Sequence, residues 1–526
     1  MKILITDPLS REGLDHLGRQ EDFEVVFSPG ISSQRLLDEI READALIVRG
    51  KTRVTPELIA AADRLRVIGR AGAGVDNIDI EAATRKGIVV MNTPGGNSVS
   101  VAEHAFALLI ALARKVAGAD ASLRAGHWNK SAFLGQELLK KTLGIVGLGK
   151  IGSVLARRAK GFDMTVLAYD PFVSNEYALG LGVQLSSLED LLRQSDFVSL
   201  HLPLNDQTRA LIGRSELSRM KPGAFLINTA RGDLVVESEL AEALERGLLA
   251  GAGLDVFQNE PEISPRLLRS EKVTLTPHIA GSTFEAQAKV GYGIAVQVTD
   301  YLRQEVILNA VNFPSLPPGE LARMLPCLQL GEKLGSFIGQ IASLRLEEIG
   351  LRYYGDLTEV DYRPITNYAL KAVLQPVLSE TINEVSARSL ARERGISVIE
   401  TASGRQRSYS NLISIQLRSS TRVEWIEGAL LHQGRFWLVS VDGIPVETQL
   451  GSTMLFIRNE DRPGVIGQVG TILGRNSINI ASFVLGRDRE RPGAVGVVNT
   501  DSPIPQPVLA EIRKVPPVHF ARVVSL

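Results

Sequence analysis

Short apolar, β-branched runs separated by amphipathic stretches set the rhythm of the first hundred residues. "KILITD", "FEVVFS", "ALIVRG", "RVIGRAG" and "IVVMNT" read as strands, with "SQRLLDEIREA" and "TPELIAAA" as helices between them. That alternation predicts a parallel α/β layer. A long helix, "NSVSVAEHAFALLIALARKV", follows, with Asn97 or Ser98 placed to cap it. A second alternation starts at "KTLGIVGLGKIG" and runs through "MTVLAYD", "DFVSLHLPL", "GAFLINTA", "AGLDVF" and "VTLTPH". Six strand candidates with helical crossovers predict a doubly wound sheet.

Beyond Val311 the pattern changes. "NFPSLPPGE" is proline-rich and reads as a linker. Residues 320–449 mix helices ("EKLGSFIGQIASL", "ALKAVLQPVLSETINEVSAR") with strands ("LEEIGLRYYG", "SIQLRSS", "RFWLVSVDG") and show no catalytic cluster. From about Leu450 a strand, a "DRPG" turn, a helix and a second strand begin a small βαββα unit.

Composition adds bounds. At 526 residues the chain needs several cores. Its 44% hydrophobic and 22% charged residues are an ordinary globular balance, and a net charge of −1 supplies no basic field for nucleic acid or an anionic membrane. One cysteine, Cys327, excludes an internal disulfide framework and suits a reducing compartment. The longest apolar run, Ala105 to Ala113, is too short to span a bilayer, and no cationic leader precedes "MKILITD". A cytoplasmic enzyme or binding protein is the expectation, and no metal site is read.

The chemistry starts at Gly147, Gly149 and Gly152, in G-x-G-x-x-G spacing after an apolar strand and at the opening of a helix. Gly147 permits the tight turn, Gly149 lets backbone approach a pyrophosphate, and Gly152 permits close helix–strand packing. Eighteen residues on, Asp170 ends a strand, where it would accept from ribose hydroxyls and repel a 2′-phosphate. The expected cofactor is NAD.

Three further polar residues sit at strand ends: Arg231, Glu260 and His278. Together they make a hydride-transfer set. His278 would take the hydroxyl proton, Glu260 would orient the ring and raise its pKa, and Arg231 would hold a substrate carboxylate.

"GLGKIG", "NTARGDLV", "GAGLDVFQNEP" and "TPHIAGST" resemble, in this order, the D-isomer-specific 2-hydroxyacid dehydrogenase family over residues 1 to about 313. The resemblance places the family's catalytic Arg, Glu and His on Arg231, Glu260 and His278. It implies a doubly wound parallel-sheet nucleotide domain (98–283) inserted in a flavodoxin-like substrate domain (1–97 and 284–313). The stretch "FIRNEDRPGVIGQVGTILGRNSINIASF" resembles an ACT module, a βαββαβ unit that senses small molecules. That implies an α+β intervening domain over 314–449 and an ACT domain over 450–526.

A nucleotide lobe followed by both extra domains is similar to the branch of the family that oxidises 3-phosphoglycerate to 3-phosphohydroxypyruvate at the entry to serine synthesis. The resemblance implies cofactor contacts at Lys150, Ile151, Thr229, Ala230, Arg231, Asp255 (near the carboxamide), His278 and Gly281. It implies substrate contacts at Asn97, Arg231, His278 and the amides from Ala71 to Gly74. Arg49 and Arg70, with Lys51 and Arg53 nearby, are candidate phosphate contacts. In the ACT segment, Asn459, Asp461 and Asn479 mark a candidate effector site for an amino acid such as serine, and the family implies a homodimer or homotetramer. Two rival readings are a glyoxylate or hydroxypyruvate reductase, which needs no phosphate site, and an NAD-sensing corepressor that binds peptides.

Overall fold

In the computed structural model β1 (Lys2–Ile5), β2 (Glu24–Phe27), β3 (Ala45–Val48), β4 (Val67–Arg70) and β5 (Val89–Met91) form one parallel sheet in the order β2-β1-β3-β4-β5. The structure describes residues 1–526 apart from 316–317, 343–344, 379–381, 406–407, 432–433 and 488–492. The centres of these strands are apolar because helices cover both faces; β3 is buried at every position. The helix Phe284–Gln304 packs on the same sheet, and a Cβ added at Gly69 of β4 would lie 2.8 Å from both Ile294 and Val298. The chain therefore leaves this lobe and returns to it.

Between those visits the helix Ser98–Ala113 leads into a second sheet. Here β6 (Thr142–Val146), β7 (Thr165–Tyr169), β8 (Gln184–Leu185), β9 (Phe197–Leu200), β10 (Ala224–Asn228), β11 (Leu249–Leu254) and β12 (Val273–Leu275) run parallel, in the order β12-β11-β10-β9-β6-β7-β8. The order reverses between β6 and β9, the switch point at which doubly wound sheets bind ligands. Strand β8, two residues long, adds a seventh strand to the six expected.

Three sequence expectations need correction. Asn97 stands at the N-cap position, but its side chain makes no capping bond and lies instead beside Gly281. The stretch read as a linker already belongs partly to a helix, Pro318–Ile341. Proline is tolerated at a helix start because the first amides have no partner in the helix. The run from Ala369 to Arg388 is not one helix: Arg363–Leu374 ends before Pro376, which offers no amide to continue it, and Ala387–Glu393 is separate.

The helices Pro318–Ile341 and Arg363–Leu374 cross closely because Gly331, Gly335 and Gly339 fall on one face. A Cβ on them would come within 2.7 Å of Ile365 Cγ2, 2.4 Å of Ala369 O and 2.6 Å of Val373 O. They cover a mixed sheet of β13 (Glu348–Gly355), β14 (Ser397–Ser403), β15 (Asn411–Arg418), β16 (Val423–Leu431), β17 (Arg435–Val441) and β18 (Ile444–Gln449), ordered β14-β13-β15-β16-β17-β18. The last unit is βαββαβ, with β19 (Thr453–Glu460), β20 (Ile480–Arg487), β21 (Gly493–Thr500) and β22 (Val518–Ser525) in the order β20-β21-β19-β22. Among the described residues no helix is long and apolar enough to cross a membrane.

Candidate active site

The turn after β6 has the space a dinucleotide needs. Gly147 has φ +100°, and a Cβ there would sit 2.6 Å from His201 O. At Gly152 a Cβ would lie 2.1 Å from Gly147 O, so the helix Lys150–Lys160 can seat only on hydrogen. At Gly149 it would meet nothing within 4 Å, which leaves the turn open where a pyrophosphate would lie. No side chain caps that helix, so its amide end and positive dipole remain available to an anion. Asp170, just past β7, accepts from Leu148 N and Phe172 N, both at 2.9 Å, which fixes its carboxylate beside the turn. Thr229 Oγ1, next to the catalytic candidates, is buried without a partner among the described residues. These features fit NAD.

At the far end of the same sheet edge lie the proton-handling groups. His278 Nδ1 and Glu260 Oε2 are 2.8 Å apart, and Glu260 Oε1 accepts from Phe257 N at 3.0 Å. With Nδ1–H donated to the carboxylate, Nε2 is left facing outward as the base. The bond to Glu260 raises the His278 pKa above its ordinary value, while burial and Arg231 push the other way. Glu260 is pushed up by burial, yet its bonds to His278 and Phe257 N hold it below the usual carboxylate range.

His278 itself has φ 53°, in the left-handed region, and its loop is braced from beneath. Its N–H donates to Asp255 O at 2.9 Å. The Asp255 carboxylate, 0% exposed, accepts from Thr276 Oγ1 at 2.6 Å and from Ile279 N and Ala280 N at 2.8 Å each. His104 approaches the same carboxylate at 3.5 Å and Thr276 Oγ1 at 2.9 Å. Both Asp255 oxygens thus accept from the His278 loop, so the carboxylate holds that loop, with one acceptor position left on Oδ2.

Arg231 follows β10 in a turn fixed by buried Asn228, whose amide group accepts from Ala230 N and donates to Arg231 O. Its guanidinium reaches across to the first lobe and pairs with Asp76, Nη2 to Oδ2 at 2.9 Å. Lys150 also crosses, donating to Pro94 O at 3.3 Å. Ile151 follows it in the opening turn of its helix.

The first lobe supplies the facing wall. Arg49 follows β3 and Arg70 ends β4, both at strand carboxyl ends. Buried Asp7 gathers the loop around Arg49, accepting from Arg49 N, Lys51 N and Thr52 N. Burial, with the nearby Arg231 charge, lowers the Arg70 pKa to about 10, so it stays cationic at neutral pH. Its Nε is buried without a partner. The amides of Ala71 and Gly72 are already bonded, to Val48 O and Arg70 O, which leaves Ala73 and Gly74 of that turn for a ligand. Asp7, Asp76 and His104 carried no expectation. Asp7 had a readable signal, a carboxylate directly after an apolar strand; the other two act through contacts distant in sequence.

Three family models match in succession. They are the NAD-binding domain of D-isomer specific 2-hydroxyacid dehydrogenases (106–280), the D-3-phosphoglycerate dehydrogenase intervening domain (323–442) and the ACT domain (453–517). The D-3-phosphoglycerate dehydrogenase of Synechocystis sp. is 40% identical over 526 residues, 100% of this chain and 95% of that one. That of Archaeoglobus fulgidus is 40% identical across 100% of both chains. The chain belongs to the D-3-phosphoglycerate dehydrogenase family. It is an NAD-dependent dehydrogenase, and the domain matched to NAD binding holds the glycine turn, Arg231, Glu260 and His278. A solved glyoxylate reductase from Paecilomyes thermophila is 32% identical with a TM-score of 0.54, covering 59% of this chain and 98% of that one.

Proposed function

We propose that this cleft oxidises 3-phospho-D-glycerate to 3-phosphohydroxypyruvate, the first step toward L-serine. The observation that carries the substrate is the crowding of Arg49, Arg70 and Arg231, with Arg70 half-buried, its charge disfavoured and its Nε buried with no partner among the described residues. Asp76 and Asp7 offset only part of that charge, and a cleft with the remainder is matched by a substrate with a carboxylate at one end and a phosphate at the other.

Arg231 holds the carboxylate, and Arg49 and Arg70 take the phosphate. Asn97 and the amides of Ala73 and Gly74 complete the cradle. Neutral His278 receives the hydroxyl proton at Nε2 while Glu260 stabilises the imidazolium that forms. The turn of Gly147 to Gly152, with Asp170 at the ribose, would hold NAD, which when bound would supply the acceptor for the hydride of the same carbon. In reverse, His278 returns the proton and Arg231 polarises the carbonyl.

The ACT match supports an amino-acid effector, serine being the candidate, at Asn459, Asp461 and Asn479 in a homodimer or homotetramer. In the single chain Asn459 is buried with Oδ1 unpartnered, Asp461 pairs with Arg487, and Asn479 donates to Asp501. An effector would compete for the last two.

The test is NADH oxidation with 3-phosphohydroxypyruvate, hydroxypyruvate and glyoxylate, for wild type and Arg70→Ala. Wild type should favour the phosphorylated acid by a factor of 10² or more, on the order of the charge-assisted bonds at stake, and Arg70→Ala should lose most of that preference through KM. Comparable wild-type rates on all three acids would leave a general 2-hydroxyacid dehydrogenase.

A further inference from the structure

The pair between Arg231 and Asp76 joins the two lobes and leaves a specific set of donors free. Asp76 Oδ2 lies 3.0 Å from Arg231 Nε and 2.9 Å from Nη2, so one oxygen takes the side edge of the guanidinium. Nη1 donates to Ala230 O at 2.7 Å. A guanidinium has five N–H donors in one plane. With the side edge and one Nη1 hydrogen engaged, one hydrogen remains on each terminal nitrogen. With Nη1 giving Ala230 O its hydrogen on the Cδ side, these two point in parallel off the tip, the arrangement a carboxylate takes in a two-bond fork.

Space at Gly74 makes this possible. A Cβ there would lie 2.0 Å from Arg231 Nη2 and 2.9 Å from Asp76 Oδ2. Because Asp76 belongs to the first lobe and Arg231 to the nucleotide lobe, the pair exists only while the lobes face each other as they do here.

We propose that Asp76 is a positioning residue for the reaction: it grips Arg231 by its side edge across the cleft and aims the free tip at the substrate carboxylate. The inference rests on the carboxylate-holding role proposed for Arg231. The opposite reading is that Asp76 competes with the substrate for Arg231 and must be displaced. The two differ in sign. A grip that aims makes its loss weaken substrate binding, whereas a competitor makes its loss strengthen it.

The experiment measures steady-state NADH oxidation by the full chain for Asp76→Asn, Asp76→Ala, Arg231→Lys and the double variant Asp76→Ala/Arg231→Lys. The oxo acid used is whichever of the three above wild type turns over best, since all carry the same carboxylate. Asp76→Ala should raise the oxo-acid KM about tenfold, with a smaller fall in kcat and an unchanged KM for NADH. Asp76→Asn, which keeps its shape and an acceptor oxygen, should show a smaller rise and guards against loss of folding. On the Arg231→Lys background, Asp76→Ala should add little, because an ammonium has no side edge to grip. An unchanged or lowered KM in Asp76→Ala, or full additivity in the double variant, overturns the proposal. A wild type inert toward all three acids overturns the functional reading, and this inference falls with it.

Discussion

On the nucleotide-lobe wall, each group placed to meet the reacting atoms is braced from behind. His278 leans on Glu260, its loop hangs from a fully buried Asp255, and Arg231 sits on a turn pinned by Asn228. On the facing wall the backbone is just as fixed, with Asp7 gathering the Arg49 loop, but Asp76 and Asp7 only partly compensate the Arg70 charge. Arg70 Nε has no partner, and burial together with Arg231 works against its cation. Proton transfer needs atoms held within fractions of an ångström, so its residues have their hydrogen bonds satisfied in advance. Binding an anion needs positive charge still short of a partner, so that the substrate itself completes the set. The two walls separate along that line.

Substitutions should separate the same way, chemistry-wall changes acting on kcat and anion-wall changes on KM. The largest effect should come from His278→Ala, which removes the proton carrier. A kcat loss of about 10²–10⁴ is expected, with the nucleotide affinity, read by NADH fluorescence, little changed. A variant that kept near wild-type kcat would place the proton elsewhere and end the division of labour between the walls.

Asp255→Asn comes next. Its carboxylate accepts on both oxygens, from Thr276 and Ile279 on one and Ala280 on the other. An amide must turn an NH2 toward one of those donors, leaving a buried clash of donors worth about 1–3 kcal/mol. The His278 loop should loosen, with kcat down about tenfold and Tm down by a few degrees. If Tm falls while kcat stays, the brace is structural only.

How far this was readable in the sequence also follows the chemistry. The parallel sheets announce themselves because strands covered on both faces are nearly all apolar, as β3 is and as β10 is up to Asn228. The glycine turn is readable because each glycine meets a separate steric demand. In the intervening sheet β14, β16 and β18 escaped notice; β14 is half-buried at best and β18 alternates buried and exposed positions, both in short polar runs. The glycine ladder at Gly331, Gly335 and Gly339 stood in plain view at a spacing of four, but only a partner helix gives it meaning. Asp76 was invisible: its partner is 155 residues away, and no local pattern reports a pair that exists only across a cleft.

The smallest and most diagnostic change is Glu260→Gln. In the wild chain the carboxylate bond raises the His278 pKa against burial and the Arg231 charge. Glutamine keeps an acceptor but not the charge, so burial and Arg231 prevail and the pKa falls. Reduction of the oxo acid needs His278 protonated, so its alkaline limb should move to lower pH. Oxidation of the alcohol needs His278 neutral, so its acidic limb should also move to lower pH, and oxidation at neutral pH should lose only severalfold in rate. Both limbs shift in one direction because one group titrates in both, which profiles of kcat/KM in the two directions measure directly. Limbs that move apart, or toward alkaline pH, would mean that Glu260 does not support the cation, and the braced wall would then owe its proton chemistry to the loop geometry alone.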